Sequence, residues 1–352
     1  MRLAYAPYIL KFRRPAGTSR GVLTEKPTFI IKIYDEADPS RFGIGECSVF
    51  PGLSPEADGN YGYKLIELLA NVALGKETDL SGHSSILFGF EQALRDYAGG
   101  GRHIYFPSEF TEGKQTIEIN GLIWMGDFDE MIARIDEKVA QGFGCVKLKI
   151  GAIDWKKEVE MIEYIRRKYS EKDLTIRVDA NGAFTMDNAL PRLKRLADLG
   201  VHSIEQPIPA GYPDLMAFIC SVSPLPIALD ESLIGVSGSE AKKKLLGEVK
   251  PAYIILKPSL CGGFSGAEEW IEIAGDMGIG WWVTSALESN IGLSALAQWT
   301  ATLNTTMPQG LGTGALFTNN FPTPLRLNSD RLGYDADAKI DYSMYESLDW
   351  RQ

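Results

Sequence analysis

Histidine is scarce in this chain: three residues, His83, His103 and His202, in a sequence of 352. None belongs to an H-E-x-x-H or similar pattern, so hydrolase centres built on paired histidines are excluded. The four cysteines, Cys47, Cys145, Cys220 and Cys261, form no C-x-x-C pair. That removes zinc knuckles and dithiol redox motifs, and scattered thiols suit a reducing compartment. Positive charge is also in deficit. With a formal net charge of -10, the chain lacks the cationic surplus that binds phosphate backbones, which argues against nucleic acid and anionic membranes as partners. No apolar run approaches the roughly 18 residues of a transmembrane helix. The opening M-R-L-A-Y-A-P-Y has no long apolar segment of the kind signal peptides carry. A cytoplasmic location is the resulting expectation. If the protein moves protons, lysine or carboxylate must do it.

What is present is the composition of a globular protein, 45% hydrophobic and 23% charged, with a length that suggests roughly two domains. Residues 1–116 read as an α+β unit. Within it, R-R-P-A-G-T-S-R-G at 13–21 has the Gly and Pro signals of a mobile surface loop. T-F-I-I-K-I-Y at 28–34 predicts a strand, with Lys32 near a sheet edge. Amphipathic segments at 62–75 and 84–98 predict two helices, the second stopped by Gly99, Gly100 and Gly101. From 117 to 320 the pattern becomes strand, loop, helix in regular units. Its strands are T-I-E-I-N-G-L-I-W, C-V-K-L-K-I, L-T-I-R-V-D, V-H-S-I-E, L-P-I-A-L-D, Y-I-I-L-K and W-W-V-T-S. Strands alternating with helices indicate a parallel sheet, and this many units predict an α/β fold, a modified TIM barrel of (β/α)7β type. An open dinucleotide-binding sheet lacks its G-x-G-x-x-G here. Residues 321–352 break the rhythm and are expected to pack back on the N-terminal unit.

The sequence V-K-L-K-I-G at 146–151 puts two lysines on one face of a strand, because side chains two apart point the same way. Val146, Leu148 and Ile150 fill the other face. An edge strand with its lysines in water is one reading. The other is an interior site, since burying an unpaired cation costs several kcal/mol unless partners are supplied. The remaining strands supply acids. Reading the last residue of each in turn gives Lys147 and Lys149, then Asp179, Glu205, Asp230, Lys257 and Ser285. Asp179 and Asp230 could each be no more than a helix N-cap, but barrel enzymes place their chemistry at these strand ends. Carboxylates about 4 Å apart repel by roughly 4 kcal/mol per pair at an effective dielectric of 20, so three of them call for a cation. All-oxygen ligands favour a hard ion, Mg²⁺ with Mn²⁺ as a possible substitute. Beside such an ion a substrate carboxylate has its α-proton acidified, and a neutral lysine can remove it. Crowding Lys147 against Lys149 would lower the lysine pKa that this demands.

The motifs K-L-K at 147–149, V-D-A-N-G-A-F at 178–184, I-E-Q-P at 204–207, L-D-E-S at 229–232 and L-K-P at 256–258 together resemble the enolase superfamily in its muconate-lactonising branch. The resemblance spans nearly the whole chain and implies a capping domain from residues 1–116, completed by the 321–352 tail over a barrel at 117–320. It implies Asp179, Glu205 and Asp230 as Mg²⁺ ligands, with Asn181 and Glu231 behind them. Lys149 is then the base, Lys147 its modulator and Lys257 the opposing cation. T-S-A-L-E-S-N-I-G-L at 284–293 and the acid-free G-L-G-T-G-A-L-F at 310–317 are similar to those of o-succinylbenzoate synthases, and Arg177 matches an arginine found in them. Dipeptide epimerases of the branch usually carry Asp-x-Asp at the eighth strand. The implied activity is a lyase reaction on a small carboxylate substrate, the syn dehydration of 2-succinyl-6-hydroxy-2,4-cyclohexadiene-1-carboxylate in menaquinone synthesis. N-acylamino acid racemisation uses the same two lysines and stays open, as does a non-catalytic scaffold. Arg20 and Ser19, in the 13–21 segment, are expected at a lid over the site.

Overall fold

The computed structural model describes residues 1–18, 21–38, 40–76, 78–123, 128–151 and 153–352. The chain opens with a long antiparallel hairpin, β1 (Arg2–Thr18) and β2 (Gly21–Tyr34), to which β3 (Phe42–Cys47) adds on the far side of β2. The 13–21 segment is therefore mostly strand, not loop. Its Gly and Pro signals mark an irregularity in pairing: Lys11 faces Glu25, while Ala16 faces Leu23. Pro15 falls in the extra residues of β1, where the ladder needs no N–H from it. Arg20 and Ser19 lie outside the described residues. Since β2 is central, Lys32 is not at an edge either. Its ammonium lies 4.5 Å from the centre of the Phe42 ring, an arrangement that offsets part of the cost of covering a charge.

Helices α1 (Tyr61–Ala73) and α2 (Ser84–Ala98) cover one face of this sheet. α2 approaches β3 so closely that a Cβ on Gly45 would lie 1.9 Å from the Gly89 carbonyl oxygen. Only hydrogen fits there. The carboxylate of Asp96 in α2 then accepts from Ile44 N of β3 at 2.9 Å.

The second unit is a parallel sheet of seven strands, in the order β11–β10–β9–β8–β7–β6–β5. These are β5 (Gly121–Ile123), β6 (Cys145–Lys149), β7 (Thr175–Asp179), β8 (Ser203–Glu205), β9 (Ile227–Leu229), β10 (Tyr253–Leu256) and β11 (Gly280–Val283). The helices that follow them are α3 (Phe128–Ala140), α4 (Trp155–Lys168), α5 (Met186–Asp198), α6 (Pro213–Val222), α7 (Ser239–Val249), α8 (Gly263–Asp276) and α9 (Asn290–Thr302). In place of a full eighth strand, residues 309 and 310 join the two sheet edges by single bridges, Ile119 to Gln309 and Thr284 to Gly310. Val146, Leu148 and Ile150 are fully buried in the same apolar cluster as Met161, Ile162 and Ile165 of α4, so this face of β6 meets helices and the lysines are left to the barrel interior.

After the barrel, β12 (Leu325–Asn328) and β13 (Arg331–Tyr334) form a small sheet with β4 (Ile117–Glu118). The tail then returns to the first unit. Tyr345, in α10 (Ser343–Glu346), packs with Ile30, Ile44 and Phe321. Tyr5 and Arg351 exchange backbone hydrogen bonds of 2.9 and 2.8 Å. A buried carboxylate ties the units together: Glu46 of β3 accepts from Ser289 N at 3.0 Å and Gly292 N at 3.0 Å, at the start of α9. A negative charge at a helix N-terminus satisfies donors that have no partner within the helix.

Candidate active site

The charged strand ends converge. In register, Lys149 of β6 stands beside Asp179 of β7, and Asp179 beside Glu205 of β8. Lys147 Nζ donates to Asp179 Oδ2 at 3.1 Å and to Glu205 Oε2 at 2.8 Å. Lys149 Nζ donates to the same Asp179 oxygen at 2.6 Å and to Asn181 Oδ1 at 2.7 Å. Across the ring, Lys257 pairs closely with Asp230 and lies 3.5 Å from Glu205 Oε1. Asn181 Nδ2 donates to Glu231 Oε1 at 3.0 Å, so the two residues expected behind the carboxylates touch each other, and Asn181 also bonds to Lys149. The β6 lysines face an interior, not solvent.

Burial and charge set the protonation pattern. Burial pushes the Lys147 ammonium down, but Glu205 and Asp179 more than offset it, and the group sits above the ordinary lysine value. At Lys147 the carboxylates outweigh both burial and the nearby Lys257 charge. Burial would raise Asp179, yet Lys149, Lys147 and Lys257 hold it well below the usual carboxylate range. Asp230 moves the opposite way: burial raises it, Lys257 counteracts, and the crowding of Glu231, Glu205 and Asp179 adds to the rise. Burial opposes the Lys257 ammonium, but Asp230 and Glu205 more than offset it and hold that group above its ordinary value. Three acids at one rim are too many for one neighbourhood without cations.

Among the described residues, no three His, Cys, Asp or Glu side chains form a ready metal cage, because lysine ammonium groups stand among the carboxylates. The donor chemistry nevertheless fits a hard divalent ion. All the candidate ligand atoms are carboxylate oxygens, and Glu205 Oε1 is buried with no hydrogen-bond partner, its nearest cation being the Lys257 ammonium at 3.5 Å, so it has acceptor capacity to spare.

Above this rim lies a cavity of about 280 Å³, lined by Lys147, Lys149, Asn181 and Lys257 from the ring, and by Leu23, Phe50 and Leu53 from the first unit. The hairpin thus reaches the site through Leu23. Ser285 lines the cavity as well. Arg177 does not. It shares a face with Asp179 but lies one layer deeper, with Nη1 donating to Pro308 O at 2.8 Å and its guanidinium 4.1 Å above the Trp282 ring. Two lining residues, Asn120 and Thr284, escaped the sequence reading. Their only signal was position, immediately before β5 and one residue before Ser285.

Residues 130–330 match the family model described as enolase C-terminal domain-like. The chain belongs to the enolase C-terminal domain-like family. Among curated relatives, it is 47% identical to the o-succinylbenzoate synthase of Desulfotalea psychrophila, over 95% of this chain and 99% of that protein. The crystal structure of MenC from that organism superposes with a TM-score of 0.82 at 43% identity, covering 95% of this chain and 99% of that one. A dipeptide epimerase from Cytophaga hutchinsonii, solved with Mg and the dipeptide D-Ala-L-Val, shares the fold of the family at a TM-score of 0.81 and 22% identity, over 99% and 98% of the two chains. Family membership accounts for the barrel.

Proposed function

We propose that the chain is an o-succinylbenzoate synthase, a lyase that dehydrates 2-succinyl-6-hydroxy-2,4-cyclohexadiene-1-carboxylate to 2-succinylbenzoate in menaquinone synthesis. The near full-length similarity to the Desulfotalea psychrophila enzyme carries this reading. The lysine and carboxylate ring supports it chemically. Asp179, Glu205 and Asp230 would hold Mg²⁺, which when bound supplies positive charge that acidifies the proton beside a chelated carboxylate.

Lys149 has the position of the base. Its amine takes the proton from the ring carbon that bears the carboxylate, and the C–O bond to the hydroxyl on the neighbouring carbon breaks. The same nitrogen returns the proton to the departing hydroxide, so water leaves and the ring becomes aromatic. Lys147, buried beside it, is held as an ammonium by Glu205 and Asp179. Lys257 remains an ammonium and steadies the negative charge that develops on the substrate carboxylate. The apolar cap contacts, Leu23, Phe50 and Leu53, exclude water from the ring of the substrate. A cytoplasmic location suits four cysteines that are all free thiols, and no helix among the described residues is long and apolar enough to cross a membrane.

A racemase reading has its own support, since Lys149 and Lys257 approach the carboxylate ring from different strands. Two assays separate the readings. Purified protein with Mg²⁺ is expected to convert the cyclohexadiene substrate to 2-succinylbenzoate and to lose this activity with EDTA. If N-succinylamino acids exchange their α-proton in D₂O while the cyclohexadiene is left unchanged, the protein is a racemase and the synthase reading is wrong.

A further inference from the structure

Across the barrel from β7 and β8, two buried polar groups of the cavity wall have nothing to bond. Thr284 Oγ1 and Asn120 Oδ1 lack any hydrogen-bond partner, although Thr284 is only 7% exposed and Asn120 3%. Both line the cavity. Polar atoms this dry are nearly always paired in folded proteins, so a pair left open toward a cavity points to a ligand.

Backbone register sets them in one row beside Lys257. Thr284 N donates to Leu256 O at 2.9 Å, and Asn120 N donates to Gln309 O at 2.9 Å. Gly310 stands between them, bridged to Thr284. A Cβ on Gly310 would lie 2.6 Å from Thr284 Oγ1, so glycine keeps that hydroxyl open. The neighbouring hydroxyl of Ser285 is saturated by comparison. It donates to Glu288 Oε2 at 2.6 Å and accepts from Thr313 Oγ1 at 2.8 Å and Leu287 N at 3.1 Å. A hydroxyl has one proton and two lone pairs, and none is left on Ser285 for a ligand.

We propose that Thr284 and Asn120 form a specificity site for an uncharged oxygen of the substrate. On the dehydratase reading, from which this inference starts, that oxygen is the ketone of the succinyl side chain. Both residues are neutral; the unpartnered Thr284 hydroxyl donates well to a carbonyl, and rotation of the Asn120 amide exchanges its unpartnered Oδ1 for the NH₂ that can donate beside it. The carboxylates of the substrate are better served by the three lysines. Proton loss at the ring carbon beside the carboxylate spreads charge to alternate ring carbons, not to the one that bears the ketone. The contact therefore acts on binding and not on the barrier, and its loss raises KM while kcat changes little.

Calorimetric titration of the Mg²⁺-loaded protein with two ligands tests this. One is 2-succinylbenzoate. The other is 4-(2-carboxyphenyl)butanoate, which has CH₂ in place of the ketone. Thr284→Val and Asn120→Leu are expected to weaken the first about tenfold and to leave the second within about twofold, which also shows that the variants are folded. Thr284→Ser, which keeps the hydroxyl, is expected to bind both as the parent does. Equal weakening of the two ligands, or no change in either, overturns the proposal. If the parent protein binds neither ligand, the dehydratase reading falls first and takes this site with it.

Discussion

Lys147 and Lys149 share one oxygen of Asp179, yet their settings differ. The Lys147 side chain is 6% exposed and bonded to two carboxylates, whereas the second partner of Lys149 is the neutral Asn181 and its side chain lines the cavity at 13% exposure. On the proposed mechanism the base is the residue held by one acid and one amide and open to the cavity, Lys149. Lys149→Ala is therefore expected to lower turnover by a factor on the order of 10³ or more, the scale of a lost general base. Because Asp179 keeps its bond to Lys147, the thermal midpoint and Mg²⁺ affinity should stay close to those of the parent. Turnover within tenfold of the parent would remove Lys149 from the chemistry. The doublet is legible in the sequence because a strand has a period of two, and strand-end acids can be counted off in the same way. Thr284 is not legible. A threonine in W-W-V-T-S reads like any strand hydroxyl, and its lack of a partner depends on Gly310, which only the closed barrel brings beside it.

Among the elements, the barrel strands are the most readable and the opening hairpin the least. Strands buried on both sides are short apolar runs with a charged end, so periodicity and position agree. In the 13–21 segment, local signals of a loop compete with a partner strand, β2, whose pairing resumes past the irregularity. Tertiary pairing wins there because the extra residues can be accommodated as a bulge. The contact between α2 and β3 has no signature in periodicity either, although it fixes the cap. Glycines Gly43, Gly45 and Gly89 face this contact, and a Cβ at Gly43 would lie 2.2 Å from the Ala93 carbonyl oxygen. The obstacle at Gly45 is likewise backbone, which cannot swing away as a side chain does. Gly45→Ala is expected to destabilise the protein by roughly 3 kcal/mol through overpacking, read as a lower urea midpoint at unchanged slope. A midpoint equal to that of the parent would mean that the helix can slide off the strand at no cost.

At the scale of the whole molecule, cap, barrel and tail meet at one buried acid and one buried base. Asp96 of α2 accepts from Ile44 N and from His103 N, at 2.9 and 2.6 Å. His103 stacks on Tyr342 and Tyr345 of the tail, and its carbonyl accepts from Gln298 of α9 at 2.9 Å. Burial pushes the Asp96 carboxyl up to about 7 and the His103 imidazole down to about 4. Their effects on stability run in opposite directions. Between about pH 4 and 7 the unfolded chain releases the Asp96 proton while the folded chain keeps it, so stability falls as pH rises. Between about pH 4 and 6.5 the unfolded chain binds a proton on His103 that the folded chain refuses, so stability rises with pH and offsets the fall. Removing the imidazole exposes the uncompensated acid. His103→Asn keeps a residue that tolerates the left-handed backbone at this position, φ 55°. Its stability relative to the parent is expected to fall by up to about 3 kcal/mol between pH 4 and 6.5. Urea unfolding of both proteins across that range measures the gap, and a gap independent of pH would show that His103 has the same pKa in the folded and unfolded chains. The offset matters for the site because Gln298 lies in α9, the helix whose first turn is held by Glu46 of the cap. A junction that loosened with pH would act on both anchors of the cap over the cavity, and pairing an acid with a base leaves the cap seated as pH changes.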